Sequence, residues 1–395
     1  MQAEVVVLGA GVAGLLIGSE LAQRHEVVVL EKSATLPNTK YWLTDRRSAD
    51  LHPELSAALD SVYPAMAFTA YDGTSYLAPG DFLLWDSERL LNTLVAKLTS
   101  GNGRIEYGQR FYSLSTGRGK AMVYANDVQI ECRVVIDCMG VDSPIIYAKN
   151  VVDVLGFYLL YGATFRMKQT ITPVALHNLM LSHQPGWVEA FPTSDGRLHL
   201  VLIVPTSQLR PASDLKADFT FIATKSPYAA HIESTTTGRH FLGGTVPVAR
   251  MRRRALDRVV FYGEAGQVNP AASATALTRM LYNHRDVAAH VSECLRADTL
   301  DAASLSDHRA AAVGPLNERI QRAIFRGILR WNSDDYLRIV RELVALDDAR
   351  FVNHLMFGDF PESLSALSQH AMRLWHTRSV GLLKMLLRGA VMPVI

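Results

Sequence analysis

Apolar residues in this chain fall first into short unbroken runs and only later into helical stripes. Val5–Leu8 carries no polar position, which predicts a strand buried on both faces of a parallel sheet. Leu15, Leu16, Leu21 and Ala22 then follow at helical spacing, and a second strand is predicted over Glu26–Leu30. Two later runs repeat the strand pattern. Val134–Asp137 leads into a glycine turn at Gly140. Arg258–Tyr262 leads into Gly263, with a helix expected to open near Asn269 and Pro270. Between residues 150 and 250 the runs lengthen and partly alternate, at Val151–Phe165, Trp187–Phe191 and Leu198–Val204, as strands of a second sheet would. From about Leu300 the period is helical, broken by turns around Ser333–Asp335 and Gly358–Asp359.

The first strand, helix and second strand enclose Gly9-x-Gly11-x-x-Gly14, and the second strand ends in Glu31. Each glycine has a mechanical reason to be there. One makes the tight turn, one admits a pyrophosphate to the backbone, and one lets helix and strand touch. The helix N-terminus then offers free N–H groups to the phosphates, and Glu31, with Lys32 beside it, is placed for the adenosine ribose. The two later glycine turns separate FAD from NAD. They supply Asp137 and Gly140, then Gly263, Glu264, Ala265, Gly266 and Pro270, where a ribityl chain and flavin ring would lie. An NAD dehydrogenase has no need of that late return to the nucleotide. The chain therefore reads as an α/β protein. A discontinuous Rossmann-like FAD-binding domain takes residues 1–50, 85–150 and 250–300. A β-rich substrate domain is inserted at 51–84 and 151–249, and a helical part fills 301–395.

Composition narrows this little further. With 395 residues the chain can form two packed lobes. A formal net charge of +2 gives no case for a nucleic-acid partner. The three cysteines form no CxxC pair and fit reduced thiols in a cytoplasmic protein. The thirteen histidines form no metal-binding pattern, so no metal is expected. Nothing at the start reads as a leader, and no apolar stretch approaches the roughly 20 residues that span a bilayer. In Ser379–Ile395, Leu382, Leu383, Leu386, Leu387 and Ala390 share one helical face, with Lys384 and Arg388 on another. That face either docks on the protein's own core or makes peripheral membrane contact. The basic run from Arg250 to Arg258 reads as a solvated surface.

Several segments, in this order, resemble the lycopene cyclase group of flavoproteins, within the superfamily of geranylgeranyl reductases and aromatic hydroxylases. Pro37–Asp45, which holds Tyr41 and Trp42, is similar to a segment of those cyclases after the nucleotide unit. Val135–Gly140 resembles their VxDATG turn, and Phe191–Arg197 their MPxSxxR hairpin. Gly263–Leu281 is similar to their flavin-side loop and helix, and Leu367–Ala371 through Gly389–Pro393 to their C-terminus. The resemblance implies an FAD enzyme acting on a lipophilic polyene, with Arg89 standing in for an arginine where the gapless match puts Ser87. It also implies paired acids in the strand after the hairpin, but Leu198–Pro205 holds none, and Ala271–Ala274 replaces a glycine turn.

Two functions follow. One is cyclisation or isomerisation of a polyene, with Glu189, one hairpin away, as proton donor in place of the missing pair. The alternative is a monooxygenase or double-bond reductase on a similar substrate, drawing on NAD(P)H as external reductant. Strand alternation alone leaves Glu189 either in an apolar pocket or on an outward face. Tyr158, Trp187 and Phe191, with Tyr41 and Trp42, are the candidate walls for a small hydrophobic substrate.

Overall fold

The computed structural model describes residues 1–36, 41–117, 119–169, 174–178, 186–225, 227–233, 241–306, 315–358 and 363–391. Strand β1 (Val5–Leu8) lies at the centre of a six-stranded sheet. It pairs in parallel with β2 (Val27–Leu30) on one side and β10 (Val134–Asp137) on the other. Outward from these run β6 (Gly103–Glu106) next to β2, and β17 (Val259–Phe261) then β16 (Ala255–Leu256) next to β10. Only β16 is antiparallel. All four residues of β1, β2 and β10 are buried, and the reason is a cover on each face. Val5, Val7, Val27 and Val29 meet helices α1 (Val12–Leu21), α3 (Ser87–Ser100) and α6 (Ala276–Ala297). Val6, Leu8, Val28 and Leu30 meet a small antiparallel sheet of β7 (Phe111–Thr116), β8 (Ala121–Ala125) and β9 (Gln129–Cys132). Each fully buried aliphatic side chain contributes roughly 1.5–3 kcal/mol. Shorter helices α2 (Arg46–Asp50), α4 (Pro144–Ala148), α5 (Lys216–Lys225) and α7 (Ala302–Ser306) fill connections between strands and helices.

The larger sheet has eight strands in the order β15-β11-β14-β13-β12-β4-β5-β3. These are Phe241–Met251, Val152–Arg166, Arg197–Thr206, Trp187–Pro192, Val174–Asn178, Leu59–Thr69, Ser75–Trp85 and Trp42–Asp45. Pairing is antiparallel throughout except between β12 and β4. The edge strand β3 precedes residue 51, so the chain enters this sheet before the boundary expected there. In β13, Val188 and Ala190 are buried on one face against Leu200 and Leu202. Trp187 and Glu189 point to the other face, where the C-terminal helices lie.

Those helices are α8 (Pro315–Ile328), α9 (Ser333–Leu346), α10 (Ala349–Phe357), α11 (Leu364–His376) and α12 (Val380–Val391). The residues expected to form a turn at Ser333–Asp335 are instead the first turn of α9. Asn332 and Asp335 close a reciprocal capping box there, accepting the N–H groups a helix start leaves free. Gly358, at φ +60, ends α10; Asp359 lies outside the described residues. At α12 the carboxylate of Glu342 accepts from the N–H groups of Gly381 and Leu382, at 2.8 and 2.7 Å. Leu382 is buried and Leu383 packs on the same core, while Leu387 is exposed. The side chains of Leu386, Arg388 and Ala390 lie outside the described set. Among the described residues no helix is long and apolar enough to cross a membrane.

Candidate functional site

Gly9 leaves β1 at φ +97, a conformation that side chains resist, and its N–H donates to the Leu30 carbonyl at 2.8 Å. A Cβ on Gly14 would stand 2.0 Å from the Gly9 oxygen, so α1 can leave this close to the turn only because residue 14 has no side chain. Gly11 differs. A Cβ there would meet nothing within 4 Å, and its φ of −71° and ψ of 178° suit any residue. The space in front of Gly11 belongs to a cleft of about 610 Å³ lined also by Gly9, Glu31, Lys32, Gly140 and Glu264.

Glu31 is held at the cleft by two backbone donors, Ala10 N–H to Oε2 and Ser33 N–H to Oε1, both at 2.9 Å. Glu31 lines the cleft where a ribose would lie, and a carboxylate so bonded keeps lone pairs to accept further hydrogen bonds. The two late turns meet across the cleft: a Cβ on Gly140 would lie 3.1 Å from Glu264 Oε2, and one on Gly263 would lie 2.4 Å from Ala13 Cβ. A glycine turn open to a phosphate, a fixed acid at the end of the second strand and a third turn closing the far end fit a dinucleotide cofactor.

Other expected contacts sit one layer back. Asp137 is wholly buried under the turn, accepting from the Ser143 hydroxyl and, at 3.1 Å, from Met139 N–H. Burial pushes its carboxyl up to about 6. It shapes the turn that presents Gly140. Gly266 packs on the Phe261 carbonyl and Pro270 against Gly358, while Ala265 is buried in the core. The helix expected to open near Asn269–Pro270 begins at Ala276. Ala274 takes φ +57, and the Ser273 and Thr275 hydroxyls are turned to the Met356 carbonyl, which holds these residues out of a helix. Arg89 is placed away from the cleft: its guanidinium pairs with Asp86 at 3.2 Å and Asp60 at 3.6 Å. Trp42 lines the cofactor cleft rather than a substrate wall, together with Gln109 and Arg110, which no motif in the sequence singles out.

A second space, about 80 Å³, lies between the large sheet and the C-terminal helices. Trp187 and Glu189 enter it from β13, Ala272 and Ser273 from the late loop, Ile324 and Ile328 from α8, and Tyr336 from α9. Burial pushes the Glu189 carboxyl up to about 7, against a weak opposing bond from Trp187 Nε1 at 3.5 Å. Tyr158 stands behind the loop, its hydroxyl shared between the carbonyls of Ala271 and Ala272 at 3.0 and 2.9 Å. Phe191 is core, and Tyr41 stacks on His199 with ring centroids 3.5 Å apart. Pro37–Lys40 lie outside the described residues. Trp331, Tyr336 and Met356, all cavity-lining, are invisible in sequence because amphipathic helices give no sign of which partner their apolar face meets.

The parallel sheet, the glycine turns and the neighbouring apolar cavity define a dinucleotide-binding protein built on the fold of the FAD-dependent reductases and hydroxylases. Residues 4–356 match the model of the lycopene cyclase protein family, and the chain belongs to that family. No curated protein sequence matches it. Among solved structures, it is similar to a geranylgeranyl bacteriochlorophyll reductase-like protein from Thermoplasma acidophilum, with a TM-score of 0.72 at 10% identity. That match covers 93% of this chain and 99% of the other. A flavoprotein/dehydrogenase from Cytophaga hutchinsonii gives a TM-score of 0.72 at 13% identity, over 97% and 99% of the two chains. A halogenase variant in complex with FAD gives 0.70 at 12% identity, over 98% and 96%.

Proposed function

We propose that this protein is an FAD-dependent enzyme that cyclises or isomerises the end of a lipophilic polyene, with Glu189 as the proton donor. The observation that carries this reading is a carboxyl raised to about 7 inside an apolar cavity beside the cofactor loop. A carboxylic acid so placed is about half protonated at pH 7 and neutral below it, and can hand a proton to a carbon–carbon double bond. The proton bonds to one alkene carbon, and the cation left on its neighbour is attacked by the next double bond. Ring closure ends when an adjacent C–H returns its proton to the Glu189 carboxylate. No electron is gained or lost. Trp187, Trp331 and Tyr336 line the cavity, and aromatic rings are groups that can stabilise a passing positive charge.

FAD would be held by Gly9, Gly11, Glu31, Gly140 and Glu264, and when bound it supplies a ring able to take up and release electrons. At about 80 Å³ the cavity is smaller than the roughly 150 Å³ that holds one benzene ring, so the end of a polyene would enter only as the lining side chains move aside. The reading is tested by anaerobic turnover of an acyclic polyene in deuterated water. A product isomeric with the substrate and carrying one solvent deuterium is expected. A product altered by two hydrogens or one oxygen would replace this reading with the reductase or monooxygenase alternative.

A further inference from the structure

The segment from Gly263 to Ala276 separates the two spaces. Glu264 and Ala276 line the cofactor cleft, and Ala272 and Ser273 line the apolar cavity. Its middle carries alanines, so no glycine freedom sets its shape, and its polar groups are gripped from outside. Gln321, on α8 and 1% exposed, accepts the Ala272 N–H at Oε1, 3.0 Å away. Tyr158 holds the carbonyls on either side of that N–H, at 3.0 and 2.9 Å. One turn before Gln321, Asn317 donates to the Gly358 carbonyl at 2.5 Å, and Gly358 packs on Pro270. The Thr275 hydroxyl reaches the Met356 carbonyl at 2.6 Å. The amide of Ala274 is also taken, by Pro270 at 2.8 Å.

A loop bonded in this way from behind forms a fixed wall between the two spaces, with Glu264 and Ala276 on the cleft side and Ala272 and Ser273 on the cavity side. Electrons on a bound ring respond to the dipoles and the distance of that wall, because in a dry site such effects are poorly screened. Gln321 also stands on the helix that sends Ile324 and Ile328 into the cavity, so one element both holds the loop and lines the cavity beside it. We infer that Gln321 is a positioning residue which, with Tyr158, clamps the Ala271–Ala272 peptide and thereby sets the electronic environment of the flavin. It touches neither cofactor nor substrate. The inference rests on FAD occupying the cleft but not on Glu189 acting as an acid, and its readout is the flavin itself, so either idea can fail without the other.

The test uses the full-length, FAD-loaded protein. Gln321→Met keeps the length of the side chain and removes the acceptor. It is expected to bind FAD one to one, to move the visible flavin bands, and to change the oxidised-to-reduced ratio at fixed poise at least threefold, about 14 mV for a two-electron couple. Gln321→Glu retains an acceptor oxygen and, being buried, stays protonated, so both readouts should remain near those of the unaltered protein. Unchanged bands and ratio in Gln321→Met would overturn the inference, as would Gln321→Glu behaving like Gln321→Met. Should Gln321→Met lose its FAD, Tyr158→Phe decides instead, since it frees the two carbonyls and keeps the ring. An unchanged flavin there overturns the inference equally.

Discussion

Gly11→Val is expected to give a folded protein that no longer holds FAD. A side chain at position 11 would meet no atom within 4 Å, and the backbone there is ordinary extended chain, so the fold has nothing to lose. The space the new methyl groups occupy is the front of the cofactor cleft, where a pyrophosphate must approach the backbone. Thermal melts of the cofactor-free protein should therefore coincide with those of the unaltered chain. The flavin-to-protein absorbance ratio should fall to background, a loss of at least 100-fold in affinity on the order of 3 kcal/mol. Gly14→Ala is the contrasting control. Its Cβ would stand 2.0 Å from the Gly9 oxygen, so it should destabilise the fold itself. A yellow, fully loaded Gly11→Val protein would show that the phosphates lie elsewhere.

Glu189→Gln should abolish the chemistry while leaving the cofactor in place. The substitution preserves shape but removes the transferable proton, and general-acid groups are typically worth roughly 10²- to 10⁴-fold in rate. Glu189 lines the cavity and not the cleft, so flavin content is expected to hold. Turnover of the unaltered enzyme should decline as pH rises through about 7, where the carboxyl gives up its proton. Stability follows the same group. Its folded pKa of about 7 lies above the ordinary 4.5, so the folded state holds the proton more tightly. That contribution is whole below pH 4.5 and is lost as pH climbs through 7, costing roughly 3 kcal/mol at alkaline pH. Glu189→Gln should thus be the more stable protein at about pH 9 and nearly level with the parent at about pH 5, as urea melts would show. Full turnover in Glu189→Gln would remove this residue from the mechanism.

The nucleotide half of the site is legible in the sequence because its signal is local. Gly9, Gly11, Gly14 and Glu31 act within one strand-helix-strand unit, and spacing along the chain is spacing in the molecule. Unbroken apolar runs announce strands covered on both faces, although the second cover is a three-stranded sheet rather than more helices. Glu189 is half legible. Alternation fixes which residues share its face, but only the packing of α8 and α9 decides that this face is enclosed. Gln321 carries no signal at all: its role comes from a bond to Ala272, 49 residues away, inside an ordinary amphipathic helix. Arg89 shows the opposite case: the gapless match puts Ser87 at the family's arginine, and the stand-in Arg89 is paired with Asp60 and Asp86.

The cofactor cleft is drawn from the first strand of the chain and from a loop that follows two further sheets, and the partition beside it is fastened by helices made later still. Order of synthesis therefore differs from order of assembly. On the ribosome the glycine turn at Gly9 emerges early but remains half a socket until Gly263 and Glu264 arrive, and its wall stays loose until Gln321 and Met356 have been added. A chain halted before α8 would lack the Gln321 oxygen that accepts the Ala272 N–H. FAD loading is thus expected only after Glu264, Ala276 and Met280, the last contributions to the cleft along the chain, have been made.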